Sequence, residues 1–136
     1  MADLLNNPYF ATAANFAVTG LAIILFLAVF ELVTRYRVWE ELQRGNVAVA
    51  MATGGKIFGI ANVFRYSLQQ HDSIGQALLS GTFGFFLLLV SYFVFEFMTP
   101  GYRIDEEIGK GNKAIGLIAM MISIGVSYII GASLNR

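Results

Sequence analysis

One passage of this chain occurs twice, 66 positions apart. Tyr36-Arg37, Glu40-Glu41, Gly45-Asn46, Ala48 and Gly59 recur as Tyr102-Arg103, Glu106-Glu107, Gly111-Asn112, Ala114 and Gly125. Conservative partners keep the register: Val38 with Ile104, Leu42 with Ile108, Arg44 with Lys110. Upstream, Phe30-Glu31 and Thr34 match Phe95-Glu96 and Thr99 at a shift of 65, so Pro100 or Gly101 is extra in the second copy. Hydrophobic bias alone does not align turn residues and charges in one register. The sequence therefore reads as an internal duplication within a single membrane domain of residues 1–136, with repeats at about 11–68 and 74–136.

What one copy contains sets the class. Hydrophobic residues make up 57% of the chain and charged residues 13%, about half the charge of a soluble domain. A spanning helix needs roughly 20 mostly apolar residues. Residues 11–30, 74–95 and 114–134 each supply such a stretch without a charge. A fourth, 47–66, contains Lys56 and Arg65, and its alignment with the last span argues for it. The expected fold is an all-α integral membrane protein whose four transmembrane helices form two tandem, parallel two-helix repeats. The first span lacks the basic lead and small-residue cleavage site of a signal peptide.

Basic residues in short loops set orientation. Arg35, Arg37, Arg44, Arg103, Lys110 and Lys113 all fall in the two duplicated loops, which are expected in the cytoplasm, with both termini and residues 69–72 outside. Within the first loop, Val38, Trp39 and Leu42 alternate with acids at helical spacing. This spacing predicts a short interfacial helix anchored by Trp39, with Ile104 and Ile108 as a weaker second version. Gly45 and Gly111 suit the left-handed residue that ends a helix, and Asn46 and Asn112 suit the N-cap of the next span. Turn chemistry accounts for these corners; a ligand nest at the same N-termini is the alternative.

Lys56 is the sharpest candidate for function. A basic residue at mid-bilayer costs on the order of 2.5–3.5 kcal/mol and normally faces protein or water. Its side chain leans toward the helix N-terminus, to the depth of Glu31 and Glu96. Arg35 competes for Glu31, so Glu96 is the expected partner. The alternatives are an ion or proton path lined by Lys56, Glu96 and Glu31, and snorkelling of the amine. Gly55, Gly59 and Asn62 in the second span, and Gly125 in the fourth, form close-packing patterns. They predict that the second and fourth spans lie innermost while the Leu- and Phe-rich first and third face lipid.

Other chemistry is thin. Balanced charge gives no reason to expect nucleic acid, and the absence of cysteine removes disulfides, thiolate metal sites and cysteine nucleophiles. No phosphate loop, nucleophile–base pair or metal-ligand spacing occurs, so neither an enzyme nor a cofactor is expected. His71-Asp72 reads as a solvated turn, and Arg65-Tyr66 as an anchor at the outer interface.

The segments Glu40-Glu41-Leu42-x-x-Gly45-Asn46-x-Ala48-x-Ala50 and Glu106-Glu107-Ile108-x-x-Gly111-Asn112-x-Ala114 resemble the bacterial family named domain of unknown function 350, also grouped as UPF0719 transmembrane proteins. The second copy is the looser match, with Ile108 for Leu42 and Gly116 for Ala50. The resemblance spans the chain and implies a four-helix inner-membrane protein without assigned catalysis, associated with membrane-stress and scaffold proteins. The expected role is an oligomeric structural or docking subunit in the lipid bilayer, self-associating or meeting a cytoplasmic or membrane protein partner. The alternative is a small ion channel or transporter.

Overall fold

The computed structural model describes residues 6–34, 36–71, 73–98 and 103–134, the side chains of 96–98 excepted. The described residues are helical, with no strand. The order is α1 (Pro8–Val33), α2 (Val38–Gln43), α3 (Val47–Gln70), α4 (Ile74–Met98), α5 (Ile104–Gly109) and α6 (Lys113–Leu134). Helices α1, α3, α4 and α6 are each long and apolar enough to cross a membrane. Helices α2 and α5 are two short links at one end.

Local sequence sets the boundaries. Asn7 Oδ1 accepts from Tyr9 N at 2.9 Å and Pro8 opens α1, a position where a missing N–H costs nothing. Gly45 (φ +79°) and Gly111 (φ +90°) follow α2 and α5, in a region that residues with a Cβ enter at a cost of about 1–2 kcal/mol. Asn46 and Asn112 then begin α3 and α6, their Oδ1 atoms accepting from Val49 N at 3.2 Å and Ile115 N at 3.3 Å.

Helix α3 is the hub. Ala48 faces Gly116, Gly55 faces Met120, Gly59 faces Ser123, and Tyr66 faces Gly131, an order that rises along both helices, so α3 and α6 run parallel. Against α4 the order reverses: Gly59 meets Leu88, Val63 meets Gly84, and Phe64 meets Gly81, which makes that pair antiparallel. Helix α1 lies across α3 and α4 through Phe26, stacked on Phe85 at 4.3 Å, and Phe30, edge-on to Phe85 at 5.3 Å. Between helices in lipid such packing, rather than water exclusion, supplies the attraction.

The burial order departs from expectation. In α3, 61% of the spanning stretch is buried, against 28% in both α4 and α6 and 11% in α1. Helix α6 is therefore no more interior than α4. The cause is geometric: α3 is contacted by three long helices, whereas α6 meets α3 and α4 and leaves its remaining side open. Gly125 lies on that open side, with nothing within 4 Å of where its Cβ would stand. Within one chain no helix neighbour among the described residues meets Gly125; the close approaches on α6 are made by Gly116 and Gly131.

Helices α2 and α5 also differ. No residue of α2 is buried, and Trp39 is 70% exposed. In α5, Ile104, Asp105 and Ile108 are all buried, and the two isoleucines pack with Ala48, Val49, Ala52 and Ala119. Ile104 and Ile108 thus belong to the end of the core.

Candidate functional site around Lys56

Lys56 stands nine residues beyond Val47, roughly 14 Å along α3 at 1.5 Å per residue. It is only 4% exposed. Its Nζ donates to Thr34 Oγ1 at 3.3 Å, and Thr34 in turn donates to the carbonyl of Phe30 at 2.6 Å. Three aromatic rings surround the ammonium: Tyr92 at 4.9 Å, Phe30 at 5.3 Å and Tyr36 at 5.7 Å from their centroids. A desolvated cation over a ring face gains about 2 kcal/mol, so this cage offsets a substantial part of the desolvation cost.

The cage leads to a carboxylate. Tyr92 Oη donates to Asp105 Oδ1, and Asp105 is buried on α5. One tyrosine thus touches both the ammonium, through its ring, and a buried acid, through its hydroxyl. Of the two acids singled out from sequence, Glu31 is exposed, and the carboxylate of Glu96 lies outside the described side chains. Arg35, Asp72 and Tyr102 also lie outside the described residues.

Space around Lys56 is uneven. Toward α4 and α6 lies a cavity of about 10 Å³ bounded by Ala52, Leu88, Tyr92, Ala119 and Ile122, near the lower limit for one water. Toward α1 and α2 lies a groove of about 130 Å³ bounded by Leu27, Glu31, Trp39, Thr53 and Ile57, with room for several waters. Thr53 Oγ1 is buried in this wall with no hydrogen-bond partner.

The two corners between short and long helices share a second polar arrangement. Asn46 Nδ2 donates to Glu41 Oε1, and Asn112 Nδ2 to Glu107 Oε1, each at 3.1 Å. Asn46 additionally donates to the carbonyl of Gly109 at 3.0 Å, which ties the first corner to α5. The second acid of each Glu-Glu pair is thus a brace for the corner. Farther along α3, Asn62 Nδ2 donates to Ser127 Oγ at 3.0 Å and Asn62 Oδ1 accepts from Arg65 Nε at 3.1 Å. Gly55 and Gly59 sit opposite α6 on the same helix; a Cβ on Gly55 would come within 2.7 Å of Met120 Cα.

Sequence reading missed Asp105, Tyr92, Tyr36 and Thr53. A usable signal existed for two of them. Asp105 stands where the first copy has Trp39, and Tyr92 where it has Leu27. Both are polar departures between the copies, as are Ser91 for Phe26 and Lys113 for Val47, so the signal narrows the candidates without singling these two out.

Four helices long and apolar enough to cross a membrane, packed on one another, define a multi-pass helical membrane protein. The family described as Domain of Unknown Function (DUF350) matches residues 3–134, and the chain belongs to that family. It is 52% identical over 134 residues to the UPF0719 transmembrane protein YshE of Bacillus subtilis (strain 168), an alignment covering 98% of this chain and 100% of that protein. No solved structure matches the chain.

Proposed function

We infer that this protein is a non-enzymatic structural or docking subunit that assembles with copies of itself in the bacterial inner membrane. In this reading two tandem hairpins face the same way, with α2 and α5 at the cytoplasmic surface and both termini outside. The observation that carries it is the open side of the α3–α6 pair. Gly59 is met by Leu88 of α4, whereas its repeat equivalent Gly125 meets nothing, and neither does Gly54. Each open glycine lies about one turn from an exposed ring, Phe58 or Tyr128, and those two rings meet at 6.4 Å. Small residues beside large ones let helices approach closely in lipid. A second copy of the chain would fill on this side the role that α4 fills on the other.

Mass measurement of the full chain in mild detergent tests this reading. The expected species is an oligomer that Gly125→Leu shifts toward a helical, folded monomer, with loss of any concentration dependence of the unfolding midpoint. A wild-type monomer at all protein concentrations overturns it. The second reading, an ion path through Lys56, Glu31 and Glu96, is favoured by the groove that joins exposed Glu31 to buried Lys56. Only about 10 Å³ lies beyond the ammonium, which supports the docking role over conduction. Ion flux into liposomes that disappears in Lys56→Met would reverse that order.

A further inference from the structure

The duplicated sequence lets the two sides of Lys56 be compared as one groove seen twice. Leu27, Trp39, Leu42, Thr53 and Lys56 line the larger groove. Their equivalents, at shifts of 65 or 66, are Tyr92, Asp105, Ile108, Ala119 and Ile122. All of these but Asp105 line the smaller cavity, and Asp105 closes it by accepting from Tyr92. In the second copy the space is filled by a phenol whose oxygen is hydrogen-bonded. In the first copy leucine replaces that tyrosine, the residue in the aspartate's place is the exposed Trp39, and about 130 Å³ stays open.

What remains there has a definite chemistry. Thr53 is 9% exposed and its hydroxyl has no partner in the described structure. The Lys56 ammonium reaches the same groove. The Thr53 hydroxyl is the donor that calls for an acceptor oxygen, and the ammonium beside it favours an acceptor that carries negative charge. Leu27, Trp39, Leu42 and Ile57 give the remaining wall an apolar character, suited to a hydrocarbon chain. Glu31 is exposed at the mouth of the groove and opposes an anion there, while Lys56 acts from a buried position where electrostatic interactions are stronger.

We propose that this groove is a binding site for a long-chain carboxylate, its head between Thr53 and Lys56 and its first methylenes along Leu27, Trp39 and Ile57. One hydroxyl and one ammonium among apolar side chains suit a small carboxylate head followed by its first methylenes. The site uses other side chains than the docking role: it concerns Thr53 and Lys56 in the α1–α2–α3 groove, and oligomerisation concerns Gly54 and Gly125 on the open side of α3 and α6.

Trp39, the single tryptophan of the chain, is a built-in reporter. The full chain in detergent is titrated with octadecanoate brominated in the first half of its chain, and tryptophan quenching is followed. The expected result is saturable quenching, reversed by unlabelled octadecanoate and weakened about tenfold in Thr53→Val, with the unfolding midpoint of that variant unchanged. Glu31→Gln should tighten binding by removing a like charge. Three results overturn the proposal. One is quenching that rises without saturation, equally for a brominated alkylammonium. Another is saturation by phosphatidylglycerol bearing the same brominated chain but not by the free acid. The third is a Thr53→Val variant that binds as wild type does.

Discussion

Tyr92 donates its hydroxyl to Asp105, and through that bond the third spanning helix is fastened to the short helix before the fourth. The ring of the same tyrosine lies 4.9 Å from the Lys56 ammonium. A cation, a ring and an acid thus form a chain at the end of the core, drawn from α3, α4 and α5.

The first prediction concerns that chain. Removing one partner of a buried hydrogen bond leaves the other with its full desolvation penalty, about 1–3 kcal/mol and more for a charged group. Tyr92→Phe should therefore lower stability by about that amount in reversible denaturation from detergent micelles. Lys56→Met should cost about 3–5 kcal/mol by stranding a buried acid. Adding Asp105→Asn to Lys56→Met should recover more of the loss than adding Glu96→Gln does. Greater recovery with Glu96→Gln would return the lysine's charge partner to the residue expected from sequence.

Glycines on one helix should respond very differently to the same added methyl. At Gly55 a Cβ would stand 2.7 Å from Met120 Cα, a backbone atom that cannot step aside, whereas at Gly54 it would meet nothing within 4 Å. Overpacking typically costs about 1–3 kcal/mol, and alanine gains somewhat under 1 kcal/mol in helix propensity over glycine. Gly55→Ala should lower the unfolding midpoint and Gly54→Ala should leave it unchanged or raise it. Equal responses would mean that α3 and α6 are not in close contact.

Asn46 and Asn112 occupy equivalent positions but should not be equally important. Each caps a helix, a contribution of about 0.5–2 kcal/mol on replacement by alanine. Asn46 also donates to Gly109 at 3.0 Å, so Asn46→Ala breaks a link between the corner and α5. Asn46→Ala is therefore expected to cost about 1 kcal/mol more than Asn112→Ala, measured side by side by chemical denaturation. Identical losses would remove the cross-corner bond from the account.

Much of the fold was legible because lipid imposes simple demands. An apolar segment of about 20 residues spans lipid as a helix that satisfies its own backbone, and length with hydropathy then located all four, including α3 once the recurring sequence was used. Gly45, Asn46, Gly111 and Asn112 were legible for a similar reason: left-handed φ and N-capping are local requirements. Which neighbour a glycine meets was not legible, because a glycine shows only that close approach is permitted: Gly125 is met by nothing among the described residues of its own chain. Its equivalent Gly59 meets Leu88 of α4, while α1, the corresponding helix of the first copy, lies across α3 and α4 instead. Asp105 escaped notice because an acid in a short loop among Glu106 and Glu107 looks solvated. Its burial depends on Ile104 and Ile108 turning into the core on either side of it, a tertiary outcome that six residues of pattern do not fix.

The orientation of the duplicated loops yields the last prediction. Parallel α3 and α6 start from corners of the same design, five basic residues lie in the two segments that precede them, and a sixth, Lys113, opens α6. Short basic loops are retained in the cytoplasm, so both corners should lie on that side. The chain has no cysteine, which gives single-cysteine variants a silent background. Gln43→Cys and Lys110→Cys in intact cells should resist a membrane-impermeant maleimide and react after the membrane is opened. Gln69→Cys and Ser73→Cys should react from outside without permeabilisation. Labelling of Gln43→Cys and Lys110→Cys from opposite sides would place α3 and α6 antiparallel in the bilayer, which their rising order of contacts does not permit.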